Sequence, residues 1–111
     1  MNTETQNPID KLMLENSIVE ALRTVYDPEI PVNIYEMGLI YDILIDDTNS
    51  VNIRMTLTSP ACPAAQSLPA EVEQVTRRVE GVRDVQVDVV WDPPYSMDMM
   101  SEAAKLELGF F

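Results

Sequence analysis

Histidine is absent from the 111-residue chain, and cysteine occurs once, at Cys62. Without an imidazole the chain cannot build a Cys–His hydrolase dyad or a histidine-containing zinc site. A single thiol excludes an internal disulfide framework and a thioredoxin-type CxxC couple. It also falls short of the four thiolates that an iron–sulfur cluster ordinarily takes from protein. Any metal held here would be labile, completed by a carboxylate, a small thiol or a second chain. Basic residues are scarce too: seven Lys and Arg against nineteen Asp and Glu leave a net charge of −12. That balance argues against nucleic acid or an anionic membrane surface as a partner. It gives a well-solvated surface and suits basic protein partners or cations. No apolar run nears the roughly 18 residues of a membrane span. The opening MNTETQNPIDK has neither the basic nor the apolar region of a signal peptide, so the expected location is the cytoplasm.

What is present is enough apolar material, 46% of residues, to fold. The length fits one small domain over residues 1–111, with 1–7 expected to be flexible. Asn7-Pro8 reads as an N-cap with proline at the first helical position. Ile9, Leu12, Met13, Val19, Leu22, Val25 and Tyr26 recur at helical spacing, and Asp27-Pro28 stops the helix. DPEIPVNIYEMG then reads as an irregular loop ending on Gly38. Two alternating segments follow. Leu39, Tyr41, Ile43 and Ile45 share one face of the first. Val51, Ile53, Met55 and Leu57 share one face of the second, leaving Asn52, Arg54, Thr56 and Thr58 to the wet side. DDTNS between them is a hairpin loop.

Leu68, Val72, Val75 and Val79 mark a second helix, with Gly81 as its C′ residue. Its start is read near Pro63, kinked at Pro69; a start at Pro69 with Ser67 as cap is the alternative. VRDVQVDVVW is a third strand with Val85, Val87, Val89 and Trp91 on one face, and Asp98 can cap a last helix from Met99 to about Leu108. The order α-β-β-α-β-α predicts an α+β, two-layer fold: a small three-stranded mixed sheet with helices on one face. Strands one and two are antiparallel through the hairpin. Strand three follows a crossover helix and should run parallel to strand two. One rim of the sheet then gathers Asp27, Glu29, Thr58, Ser59, Cys62, Trp91 and Asp92.

A cysteine near a helix N-terminus is biased toward thiolate, which is both nucleophile and soft metal ligand. Pro60 and Pro63 would stiffen the approach and fix the direction of the sulfur. The residues alone leave a second reading open, a half-buried thiol filling space under the loop. Asp27 and Glu29 offer ligands or bases, but an Asp-Pro-Glu at a helix end reads first as turn chemistry. Met97, Met99 and Met100 read as apolar filler.

DPEIPVNIYEMGLIYDI, MTLTSPACP and VWDPPYSMDMMSEAAKLELG together resemble the SufT-type iron–sulfur assembly domain. Its relatives include cytosolic iron–sulfur targeting factors, the N-terminal segment of Mrp-type carriers, and PaaD. The resemblance spans about residues 10 to 110; it departs from the family at Tyr95, where tryptophan is frequent. It implies functional positions at Asp27, Glu29, Thr58 and Cys62, with Ser59 in the same motif and Pro60, Trp91 and Asp92 supporting the rim. It implies an accessory factor, not an enzyme. Such a factor assists transfer of a cluster or iron to client proteins through Cys62, binding that cargo transiently and holding no tight cofactor. Implied partners are the assembly machinery and apo clients, and a homodimer would bring two Cys62 thiolates together. A PaaD-like accessory to a metal-dependent oxygenase, a thiol enzyme and a thiol-independent binding module are the alternatives.

Overall fold

Proline opens the first helix and a buried leucine closes it. In the computed structural model, which describes residues 8–26, 30–58 and 67–109, α1 runs Pro8–Leu22. The chain leaves it through a turn in which the Thr24 N–H donates to the Ala21 carbonyl (3.1 Å) and the Val25 N–H to that of Leu22 (3.1 Å). The helix therefore ends short of Asp27. Its inward stripe is Leu14, Ile18 and Leu22, continued by Val25, all buried. Leu12, Met13 and Tyr26, expected on that stripe, stand out into solvent. Apolar residues occur all round α1, so spacing alone could not choose between the stripes.

A short helix, α2 (Ile34–Met37), replaces the irregular loop expected before the sheet. Asn33 caps it by accepting from the Glu36 N–H at 2.9 Å, and Gly38 ends it at φ 85°. An added Cβ on Gly38 would run into the Met99 backbone carbonyl, so the position requires glycine twice over.

Strands β1 (Ile40–Ile45) and β2 (Ser50–Met55) pair antiparallel, and β3 (Asp84–Val89) joins β2 in parallel, giving the order β1-β2-β3. This is the mixed sheet predicted from the sequence. Asp46 shapes the hairpin: one carboxylate oxygen accepts from Thr48 N–H and Oγ1 (2.8 Å each) and from Ser50 N–H (3.0 Å). Those bonds hold the Asp46 carboxyl below the ordinary aspartate range, the Thr48 hydroxyl contributing most.

A bulge interrupts β1. Ile40 lies opposite Met55 and Asp42 opposite Arg54, so Tyr41 is the extra residue. The core-facing residues become Ile40, Ile43 and Ile45, and Tyr41 leaves the face expected for it. On β2 the alternation holds through Val51, Ile53 and Met55, and Leu57 is buried beyond it. Thr56 departs from expectation. It is fully buried rather than wet, and its hydroxyl has no hydrogen-bond partner among the described residues.

Helix α3 (Leu68–Arg77) begins with Pro69 in its first turn and Ser67 at the N-cap position, which is the alternative start and not the kinked one. Leu68, Val72 and Thr76 are its buried residues. Gly81 sits at φ 99° at the end of the turn that follows, beyond the helix proper. The expected last helix is split. A 3-10 turn, Met97–Met99, is capped by Ser96, and α4 (Glu102–Glu107) by Ser101, which accepts from Ala104 N–H at 3.1 Å. Of the three methionines, Met100 is buried and Met97 exposed.

Leu14, Ile18 and Leu22 of α1, Ile34 and Met37 of α2, Val51, Ile53 and Met55 of β2, and Leu68 and Val72 of α3 form one apolar core. Each fully buried aliphatic side chain contributes about 1.5–3 kcal/mol. The other sheet face carries polar cross-strand pairs: Arg54 to Asp42 at 3.0 Å, and Asn52 to Asp88 at 3.0 Å. Among the described residues no helix is long and apolar enough to cross a membrane.

Candidate functional site

Strand direction brings two chain exits and one entry to one end of the sheet. β2 and β3 both finish there, with Met55 opposite Val89 and the Val90 N–H donating to the Met55 carbonyl at 2.8 Å. β1 starts there, Ile40 lying beside Met55. Thr58 leaves β2 exposed; Trp91 and Asp92 leave β3 exposed, Trp91 at 47%. These three of the predicted rim residues depart from the same end. No hydrogen bond or ion pair joins them to one another among the described residues. Asp27, Glu29, Ser59, Pro60 and Cys62 lie outside the described residues.

The flanks of the Asp27–Glu29 segment are tied together. Tyr26 and Asn33 form an isolated antiparallel bridge, and the Ile34 N–H donates to the Val25 carbonyl at 2.8 Å. Val25 and Tyr26 are thereby held at the start of α2, one short helix away from β1. Asn33 serves twice, in the bridge and as the cap.

The C-terminal segment braces this end. The Tyr95 hydroxyl donates to the Met37 carbonyl at 2.6 Å, and the Ser101 N–H to the Glu36 carbonyl at 2.8 Å. The Tyr41 hydroxyl donates to the Pro93 carbonyl at 2.8 Å, just after the cis Asp92-Pro93 bond. Burial, and then the neighbouring Tyr41, push the Tyr95 phenol above its ordinary value. Arg23 connects the end of α1 to α2, donating to Glu36 at 3.1 Å and lying 5.4 Å over the Tyr35 ring.

An open groove of about 480 Å³ lies beside the rim, with Tyr41 and Asp42 from β1, Arg54 from β2, and Asp92 and Pro93 from the β3 exit. It is mixed in character, an apolar floor with an ion pair at one side. Among the described residues no three of His, Cys, Asp and Glu gather as a metal site.

The brace was not foreseen in the sequence. Asn33 three residues before Glu36, with Gly38 soon after, was a readable helix-start and helix-stop signal. The partners of Tyr41 and Tyr95 carried no such signal, because each joins residues more than fifty positions apart.

Comparison with known proteins gives the same architecture. A solved structure of a domain of unknown function from Bacillus anthracis superposes with a TM-score of 0.85 at 39% identity, covering 95% of this chain and 100% of that one. An Fe-S protein maturation auxiliary factor of Porphyromonas gingivalis is 50% identical over 99 residues, 89% of this chain and 94% of the relative. The Bacillus subtilis Fe-S protein maturation auxiliary factor YitW is 42% identical over 96 residues, 86% of this chain and 94% of that protein. Residues 15–89 match the family described as iron-sulfur cluster assembly protein, a stretch that contains Asp27, Glu29, Thr58, Ser59 and Cys62. The chain belongs to the iron–sulfur cluster assembly protein family.

Proposed function

We propose that this chain is an accessory factor in iron–sulfur cluster assembly, helping a cluster or iron reach apo client proteins through Cys62. The observation that carries the proposal is the family match over residues 15–89, the stretch that contains the Asp27, Glu29, Thr58 and Cys62 motifs. The convergence of the β2 and β3 exits at the start of β1 supports it, since it brings distant segments toward one end.

The chemistry follows from a lone thiol. Cys62 as thiolate forms one bond to iron of the cargo, with Asp27 and Glu29 orienting it or offering an oxygen ligand and Thr58 bonding the loop. A client thiol loses its proton and bonds the same iron as the bond to Cys62 breaks, and Cys62 regains a proton. No electrons change hands. Incomplete ligation by one thiolate is what makes release downhill, because a client supplying four thiolates binds the cargo better. The chain is a carrier and not an enzyme in this reading, a single domain working in the cytoplasm with the assembly machinery. A homodimer joining two Cys62 thiolates would raise affinity for the cargo.

Anaerobic reconstitution with ferrous iron and sulfide tests the ligand claim. Wild type is expected to retain iron that Cys62→Ala does not. Equal, negligible iron on both proteins defeats direct ligation by Cys62.

A further inference from the structure

Among the described residues nothing pairs with the outer edge of β1, and hydrogen-bond phase identifies which of its backbone groups point that way. On β3's side of β2, Asn49 and Met55 carbonyls accept from Arg83 and Val90, so odd-numbered residues of β2 face β3. The even-numbered Asn52 and Arg54 therefore face β1, opposite Leu44 and Asp42, and the Asp46 N–H donation to Ser50 keeps the same phase. Ile43 and Ile45, lying between those bonded pairs, direct their N–H and C=O groups away from the sheet. β1 is an edge strand with no neighbour on that side among the described residues.

Beside this edge is an open space of about 300 Å³ lined by Ile43 and Ile45 of β1 and by Lys11, Leu12 and Glu15 of α1. Leu12 is 57% exposed, and Leu44, on the opposite sheet face, is 52% exposed. A strand laid along β1 would meet apolar surface on both of its own faces. Helix α1 sets an acidic group, Glu15, beside the edge. Lys11 is committed to Asp47 at 2.9 Å and Arg54 to Asp42 at 3.0 Å, and among the described residues no cation pairs with Glu15, while Asp46 is held by the Thr48 and Ser50 bonds.

We infer that the β1 edge is a docking site for an extended partner segment, apolar at alternate positions and carrying basic residues. Its backbone pairs with Ile43 and Ile45, its apolar side chains contact Leu12 and Leu44, and its Lys or Arg residues meet the Glu15 carboxylate and the strongly negative surface around it. A second copy of this chain is the poorer occupant. Each copy carries −12, and two-fold pairing centred on Leu44 would set Asp42 opposite Asp46 of the copy. The inference is independent of Cys62 and of the cargo.

The test uses the full chain and two blocked synthetic peptides of alternating isoleucine and threonine. One is flanked by paired lysines and the other by paired glutamates. Amide hydrogen exchange and titration by NMR read the result. The lysine peptide is expected to protect the Ile43 and Ile45 amides and to bind roughly tenfold tighter than the glutamate peptide at low salt, the gap closing as salt rises. Leu12→Lys, at an exposed position that should leave folding intact, should weaken the lysine peptide roughly tenfold. Absence of binding, equal affinity of the two peptides, or perturbation confined to another surface overturns the inference. So does protection of the edge amides by self-association alone.

Discussion

Gly38 shows how much one residue can decide. It takes a left-handed φ of 85° that L side chains resist, and its missing Cβ is the space the Met99 carbonyl occupies. Both requirements fall where α2 hands over to β1. Gly38→Ala should therefore cost about 2–4 kcal/mol, strain and overpacking together, read as a lower urea midpoint at unchanged slope. Tyr95 contributes in a different way, through a proton. Its phenol is held above its ordinary value by burial and by Tyr41, so the native state keeps a proton that the unfolded chain releases near pH 10. The stability this supplies is complete below about pH 10 and is lost as pH rises through the higher native value. Tyr95→Phe should lose about 1 kcal/mol at neutral pH from the bond to Met37. The gap between variant and wild type should narrow in urea titrations at alkaline pH. Asp46 works in the opposite direction: its carboxyl is depressed, so its contribution is present above the ordinary aspartate range and fades on acidification.

At the scale of elements, alternation and proline carried most of the fold. Val51, Ile53 and Met55 announced a half-buried strand; Pro8 placed the start of α1. What escaped had physical reasons. α2 is four residues long, too short for a periodic signal, and exists because Asn33 caps it, Gly38 ends it and the C-terminal segment packs on it. The bulge at Tyr41 adds a backbone residue, which side-chain alternation cannot register. The last helix divides because Ser101, not Asp98, caps α4, while Asp98 lies within the 3-10 turn that Ser96 caps. Thr56 was read as wet because it follows the polar parity of β2, yet it lies beyond the end of the strand, where parity no longer fixes exposure. Asn33→Ala should cost about 1 kcal/mol, while Asn33→Asp should be nearly neutral. Because Asn33 also bridges to Tyr26, hydrogen exchange at the Ile34 amide should accelerate in the alanine variant.

For the whole molecule, the predicted topology has a functional consequence. An antiparallel pair followed by a parallel crossover directs the loop before β1 and the exits of β2 and β3 to one end of the sheet. The sequence made that convergence legible before any coordinates, and it made Thr58, Trp91 and Asp92 legible as residues leaving that end. The brace from Tyr95, Met99 and Ser101 was not legible, because contacts between distant segments leave no local pattern. Whether Cys62 performs the transfer is the central claim, and cells test it most directly. In a strain lacking this gene, iron and acid-labile sulfide would be measured in its iron–sulfur enzymes after expression of wild type or Cys62→Ala at equal protein levels. The account predicts that wild type restores cluster content and Cys62→Ala does not. Full restoration by Cys62→Ala would contradict it and leave a thiol-independent binding module.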